Sequence, residues 1–470
     1  MQTADSSAGL SNAGQNSGQN YGSFGYRTYV LISLTAVYII NFLDRILISV
    51  IGRPIIDEFA LSNFQFGILT GFGFALFYTT LGIPIARLSD RYSRVRIIGA
   101  CAILWSIATV LCGYTVGFAT LLLARIAVGI GEAGCTAPSN SLISDYYKPS
   151  ARPAALGIFA GGLMIGSVLA QLTGGYVLKL FSWREAFIYV GAPGVVLGLL
   201  ILFTVKEPPR GYSDPPGTSA AEQPSLKEAL SEVLAKKTFW IVAIASSFST
   251  LAGYSLLSFQ PLFIQYTYGL SPGETAIGYM AAFGLAGAAG TWLGGFFTQY
   301  LLNRSSLAPI LVCALGATIC VPLLITGITS SSITLMFWAF LIANLFQTFY
   351  LGPMFSVTQS VVSLRVRATS IGILLFIINL IGYGLGPPLI GFVADVFTNS
   401  HLANAGASDI LNAKCSFVDT NLSEALRNTC QQAKTHGIKI ACLIAAMFFA
   451  VSAVTFLLSG RYLKKDLSQA

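Results

Sequence analysis

Long apolar stretches recur along this chain, at 97–112, 191–205 and 440–459 among other places, and their recurrence narrows the possible folds more than any other feature. A bilayer core of ~30 Å is crossed by roughly 20 apolar residues in a helix, so a chain of this length has room for roughly twelve crossings. Only 10% of the side chains are charged against 54% hydrophobic. A soluble chain of 470 residues would expose far more charge. Period-two alternation is absent, which argues against an outer-membrane barrel. The expected fold is an all-α polytopic membrane protein.

Six spans are expected near 28–51, 64–87, 96–115, 118–144, 154–181 and 186–206, and six more near 238–268, 274–302, 307–327, 332–361, 367–397 and 438–460. They divide the chain into an N-terminal bundle (27–206), a linker (207–237) and a C-terminal bundle (238–463). The linker holds Pro208, Pro209, Pro215, Pro216 and Pro224, then Ser225 and Glu228, an S-x-x-E capping box that opens a short amphipathic helix. Twelve helices in two six-helix, pseudo-symmetric bundles are what a transporter built from parallel repeats requires. A weak echo supports duplication: Arg152-x4-Gly157 enters span 5 and Arg367-x4-Gly372 enters span 11. Residues 1–26 are rich in Ser, Asn, Gly and Gln, have no apolar h-region, and read as a disordered cytoplasmic tail.

The net charge of +8 is confined to alternate connections. Arg87, Arg91, Arg94 and Arg96 form one group, and Arg461, Lys464 and Lys465 another, whereas 113–117 and 326–332 carry no charge. That is the positive-inside pattern of an integral protein of a bacterial inner membrane, with both termini cytoplasmic. It removes any need for a nucleic-acid partner. The lipid bilayer, a small-molecule or lipid substrate, and a monomeric state are expected instead. The connection 398–436 is placed outside, where Cys415 and Cys430 are expected to form a disulfide because that compartment is oxidising.

Four charges lie deep within spans: Asp44 and Arg45 in span 1, Arg125 and Glu132 in span 4. A charge at mid-membrane costs ~2.5–3.5 kcal/mol on insertion scales, so each needs a functional reason. With a rise of 1.5 Å per residue, Asp44 lies about 24 Å from the cytoplasmic start of its span and Glu132 about 21 Å from the cytoplasmic end of span 4. The two levels match, and a cluster of two acids and two arginines facing one cavity is expected. Burial favours a neutral carboxylic acid and a nearby arginine favours the carboxylate, so movement between states can load and release a proton. Asp44 and Glu132 are therefore the expected proton carriers, and protons the coupling ion in place of any cofactor. Arginine keeps its proton, which suits Arg45 and Arg125 to anion contact.

The second half carries its charges only at helix ends. Its candidate cavity residues are neutral: Tyr254, Gln260, Asn344 and Gln347, with Tyr350, Asn379 and Tyr383. A cavity charged on one wall and aromatic on the other suits an amphipathic ligand better than a sugar. Gly129-Ile130-Gly131-Glu132-Ala133-Gly134 fits the dinucleotide fingerprint by letter. It lies inside an apolar helix with no free N–H groups for phosphate, so that reading fails. Pairs such as Gly67/Gly71, Gly157/Gly161, Gly162/Gly166, Gly290/Gly294 and Gly382/Gly386 fit G-x-x-x-G, which permits close helix approach. No grouping for catalysis or for metal binding occurs, because the two histidines, His401 and His436, lie in or beside the outer connection.

The stretch Ala86-Arg87-Leu88-Ser89-Asp90-Arg91-x-x-Arg94-x-Arg96 resembles the G-x-x-x-D-R-x-x-R signature of the major facilitator superfamily, with Ala86 in place of the first glycine. The resemblance implies a cytoplasmic gate at Asp90, Arg91 and Arg94, in which the aspartate caps a helix and pairs with arginine across the domain interface. The matching loop of the second half has Thr298 and Gln299 and no aspartate, so gating is expected to be asymmetric. Arg125-x-x-x-Gly129-x-Gly131 resembles the superfamily's proton-transfer motif. Asn41-Phe42-Leu43-Asp44-Arg45 together with Gly129–Ala133 resembles the Spinster family, Phe42 standing where those members have tyrosine. That resemblance implies proton-linked movement of lysophospholipids or sphingoid phosphates by alternating access. The N-x-x-D-R element also occurs in proton-coupled organic-anion symporters, which keeps a small organic anion open as the substrate.

Overall fold

The computed structural model describes residues 20–213, 226–405 and 424–468. Twelve of its helices are long and apolar enough to cross a membrane. Spans 1 to 6 are Phe24–Val50, Asn63–Arg91, Arg94–Cys112, Phe118–Tyr146, Arg152–Leu180 and Trp183–Thr204. Spans 7 to 12 are Lys237–Tyr268, Pro272–Leu302, Ala308–Thr329, Ile333–Ser360, Thr369–Asn404 and Glu424–Leu467. No strand occurs among the described residues. In hydrocarbon every backbone group must be satisfied within its own segment, and the helix does this without a partner.

Serine begins many of these helices. Ser23, Ser62, Ser93, Ser182, Ser271 and Ser332 each accept a first-turn N–H, which satisfies donors that the helix itself leaves open. Spans 2 and 8 share a further device. Leu61-Ser62-x-x-Gln65 and Leu270-Ser271-x-x-Glu274 both close a capping box, and each is followed by a π turn, at Ile68–Phe72 and Ala276–Met280. This echo between the halves is closer than the one at Arg152 and Arg367. Span 11 carries a third π segment, Ile378–Leu385.

Both described ends of the chain lie on one face, called here the termini face. Tyr26 donates its hydroxyl to the Thr204 carbonyl at the end of span 6, and Asp466 accepts from the Thr238 amide at the start of span 7. The helices of spans 11 and 12 run farther than their apolar cores, to Asn404 and from Glu424, so both ends of the expected 398–436 loop are helical. A polar sequence extends a helix freely once it has left the bilayer. Ser225 lies outside the described residues, but the amphipathic linker helix is present as Leu226–Ala235. It buries Ala229 and Val233 against the termini-facing core of the second half. The earlier part of the linker clamps to the first half, where Glu207 accepts from Arg94 at 2.6 Å and from Ser93 at 2.9 Å.

The two halves meet on the far face. A Cβ on Gly67 would lie 2.4 Å from the Pro387 carbonyl oxygen, and one on Gly391 would lie 2.2 Å from that of Asn63. Gly71 packs on Tyr383 and Pro387, and Gly175 on Gly273 and Ala276. These approaches admit no side chain. At Gly157 and Gly161 of span 5 and Gly372 of span 11, toward the termini face, a Cβ would meet nothing within 4 Å. The other expected small-residue pairs make close crossings within one half: Gly162/Gly166 on span 1, Gly290/Gly294 on span 10 and Gly382/Gly386 on span 7.

Candidate functional site: a caged arginine at the interface of the two halves

Span 1 delivers two neighbouring charges in different directions, as a helix must for adjacent residues. Asp44 is fully buried and turns toward span 3, where the Thr109 hydroxyl donates to Oδ2 at 2.5 Å. Its Oδ1 has no protein partner. Arg45 turns toward span 4 and donates from Nη2 and Nε to Glu132 Oε2, at 2.9 and 3.3 Å. The pairing bears on the depth estimate, since Glu132 and Arg45 meet at one level. Three rings surround the Arg45 guanidinium, with centroids 4.5 Å (Tyr78), 4.7 Å (Phe42) and 4.8 Å (Phe74) away. Desolvated cation–π contacts of this kind contribute ~2 kcal/mol or more, and they offset part of the cost of removing the ion pair from water.

Arg125 is buried and lies 5.4 Å from the Phe74 centroid, with none of its three guanidinium nitrogens hydrogen-bonded. Glu132 Oε1 and both ends of the Asn41 amide are also buried without a partner. Span 4 breaks immediately beyond this point: its first segment ends at Glu132, and a new one starts at Thr136. The three glycines of the G-x-G-x-x-G string are explained by packing. A Cβ would come within 2.7 Å of the Phe74 carbonyl oxygen at Gly129 and of the Trp105 backbone at Gly131, and would overlap Cys101 at Gly134. The string lets span 4 press on spans 2 and 3 so that Glu132 reaches span 1.

A cavity of about 320 Å³ lies between the halves. Arg45 is its one charged lining residue, and Asp44, Arg125 and Glu132 lie behind it. The expected arrangement of four charges facing one cavity is corrected accordingly: burying both acids and Arg125 leaves a single cation at the wall. Of the neutral residues picked from sequence, Tyr254, Gln260, Asn344, Gln347 and Tyr350 line the cavity. Asn379 and Tyr383 do not. Asn379 donates to the Leu375 carbonyl of its own helix. Tyr383 stacks behind Tyr254 at 4.2 Å and lies 5.6 Å from Phe74, so it backs the wall of the Arg45 cage.

Met280 and Phe283 add an apolar patch that sequence reasoning passed over, because apolar residues in a membrane helix carry no signal of their own. Gln171 was also missed. It lies in the middle of span 5, lines the cavity, and has its Oε1 unpartnered. The rule that selected Gln260, a lone amide within an apolar run, would have found it.

At the termini face Arg94 is buried between two acids, 2.5 Å from Asp145 and 2.6 Å from Glu207. Asp90 and Arg91 are exposed. No ion pair from either reaches the second half among the described residues. Cys430 is buried beside Leu402 and Ala433, whereas Cys415 lies outside the described residues. Cys112, Cys135, Cys313, Cys320 and Cys442 are free, buried packing residues of the spans, and Cys101 is free and half-buried.

The sequence profile of the Major Facilitator Superfamily matches residues 34–399. Among solved structures, the chain superposes on a bacterial homolog of the human lysosomal transporter Spinster in an inward-facing, unoccupied conformation. The TM-score is 0.88 and the identity 38%, over 95% of this chain and 99% of the other. Among curated proteins, an MFS-type efflux pump of Mycolicibacterium smegmatis is 30% identical over 79% of this chain and 85% of its own length. A hexuronate transporter of Bacillus subtilis is 24% identical over 78% of this chain and 87% of its own length. The profile match spans eleven of the twelve membrane helices, and the chain belongs to the Major Facilitator Superfamily as a multi-pass membrane transporter, not an enzyme, that resembles Spinster.

Proposed function

We propose that this protein is a proton-coupled secondary transporter that moves an amphipathic lipid with an anionic headgroup, such as a lysophospholipid or a sphingoid phosphate. The observation that carries the reading is the position of Arg45, which borders the cavity while its guanidinium is held by Glu132. With Glu132 ionised, Arg45 is neutralised from behind and offers the cavity little charge. A proton on Glu132 removes that partner and turns the Arg45 charge toward a headgroup. Proton and anion therefore promote one another's binding, which favours carrying both in the same direction. Met280 and Phe283 on the opposite wall suit an acyl chain. Asp44, held by Thr109 alone, is the second proton carrier, and Arg125 is the fixed cation that tempers both acids. The coupling proton takes the place of a cofactor in this reading, and a monomer, with both halves of one chain lining the cavity, is the proposed unit of transport.

The basic groups Arg91, Arg96, Lys148 and Arg304 cluster on the termini face. Both termini are then cytoplasmic, the host membrane is a bacterial inner membrane, and the cavity of this conformation faces inward. The termini-face gate at Asp90, Arg91 and Arg94 is open in this state and closes in the outward-facing one.

A second reading has its own support. Gln171, Gln260, Asn344 and Gln347 could hydrogen-bond the hydroxyls of a small organic anion such as a hexuronate around the same Arg45. The two readings separate in proteoliposomes under an imposed pH gradient, supplied with lysolipids or with hexuronates. Gradient-driven lysolipid movement is expected, and it should be lost in Asp44→Asn and Glu132→Gln. Gradient-dependent transport by both variants would remove the coupling assignment. A preference for hexuronates would remove the lipid.

A further inference from the structure

We propose that Asp395 of span 11 is a gate residue, a latch that caps the first turn of span 2 from across the interface and holds the far face shut. Its Oδ1 accepts from the Asn63 amide at 2.9 Å and from Asn63 Nδ2 at 2.8 Å, and its Oδ2 accepts from the Phe64 amide at 2.8 Å. These are charge-assisted bonds to the first two N–H groups of a 29-residue helix, the end where its dipole is positive. They join the first half to the second where the glycine contacts bring the backbones together. Gly391, one turn before Asp395, has no room for a Cβ against Asn63.

Span 2 does not need this cap to exist. Ser62 and Gln65 already close a capping box at its start, within the first half. The Asp395 bonds are thus separable from the folding of the helix, and on separation the two amides and the Asn63 side chain can turn to water. Removable bonds of this kind suit a latch better than a permanent joint.

Spans 2 and 11 lie antiparallel across the interface, and each bears an aspartate toward its C-terminal end. Asp395 of span 11 meets the start of span 2 on the far face. Asp90, at the end of span 2, lies on the termini face with the start of span 11, and it is exposed and has no ion-pair partner among the described residues. One latch is made and the other is unmade. The same two helices can therefore lock either face by exchanging which aspartate caps which helix, and the two locks exclude one another because the halves rock about the cavity between them.

Hydrogen exchange on the full-length protein in nanodiscs tests the latch. Asp395→Asn should speed exchange over residues 61–67 by roughly ten-fold or more, since charge-assisted bonds to two amides are lost. It should also slow exchange over 157–161 and 367–372, because those segments come together as the far face opens. Gly391→Ala, which blocks close approach without touching the carboxylate, should move the three segments in the same directions. Adding Asp90→Asn to Asp395→Asn should return the pattern toward that of the natural chain. Faster exchange at 61–67 with no protection on the termini face would make Asp395 a local cap only and overturn the proposal, as would no change at 61–67. The inference rests on alternating access. It does not depend on the substrate, because no ligand enters the measurement.

Discussion

Replacing Glu132 by glutamine removes a charge and leaves the shape nearly unchanged. In the natural protein Arg45 Nη2 and Glu132 Oε2 are 2.9 Å apart, and both side chains are shielded from solvent. At an effective dielectric constant near 20, two unit charges at that separation attract by ~6 kcal/mol, most of which offsets their desolvation. The glutamine oxygen can still accept one bond from Arg45, and the three surrounding rings remain. The expected loss of stability is therefore smaller than for a fully broken buried pair, ~1–3 kcal/mol, and should register as a lower Tm.

The functional consequence has the opposite sign. Arg45 loses its competing anion, and a charge-assisted bond to a headgroup is worth ~1.5–3 kcal/mol, so binding of an anionic lysolipid should tighten by roughly 10- to 150-fold at neutral pH. In the natural protein, binding should tighten as the pH falls, because protonated Glu132 resembles glutamine; in the variant it should hardly change with pH. Equilibrium binding of a fluorescent lysophosphatidylglycerol, whose phosphodiester keeps one negative charge between pH 5 and 8, on both proteins gives the comparison. Equal affinity at neutral pH together with the same pH dependence would refute the reasoning, because Arg45 would then not be shared between Glu132 and the ligand.

Other substitutions probe separate links. Gly129→Ala places a Cβ 2.7 Å from the Phe74 carbonyl oxygen, and overpacking of this kind should cost ~1–3 kcal/mol in thermal unfolding and reduce transport by displacing a ring of the Arg45 cage. Tyr78→Leu removes the ring nearest to Arg45 and should weaken the cage by ~0.5–2 kcal/mol, read as a lower Tm that is absent in an Arg45→Met background. Arg94→Ala leaves Asp145 and Glu207 facing one another without their shared cation; a loss of ~3–5 kcal/mol is expected, with faster proteolysis near residues 205–213 as the linker detaches. Phe283→Ser should reduce lysolipid binding while sparing any binding of a short water-soluble anion, and an equal effect on both would argue against an acyl chain beside this ring.

Membrane insertion makes part of this molecule readable from composition alone. Each apolar run has one solution, a helix, so the number and order of spans follow from hydropathy, and serine caps mark many of their starts. The depth of the buried charges was legible for the same reason. A fixed rise per residue places Arg45 and Glu132 at one level, and the structure brings them to 2.9 Å. Facing is different, because it depends on how helices rotate against their neighbours. Nothing in the run around Asp44 says that it turns to Thr109 on span 3 and leaves Arg45 alone at the cavity wall. Asn379 and Gln260 look alike in sequence, yet one bonds to its own helix and the other lines the cavity. Asp395 is one of the helix-end charges of the second half, and only the meeting of spans 2 and 11 gives it two amides to hold.

The asymmetry of buried charge between the halves was thus in the sequence, since insertion cost makes every such residue conspicuous. Tertiary structure decided which of those charges the cavity sees, because packing sets three of them behind the wall and one, itself largely buried, at it. It decided the closed face as well, where close glycine contacts and the Asp395 carboxylate, among other charged groups, join two halves that share no covalent contact there.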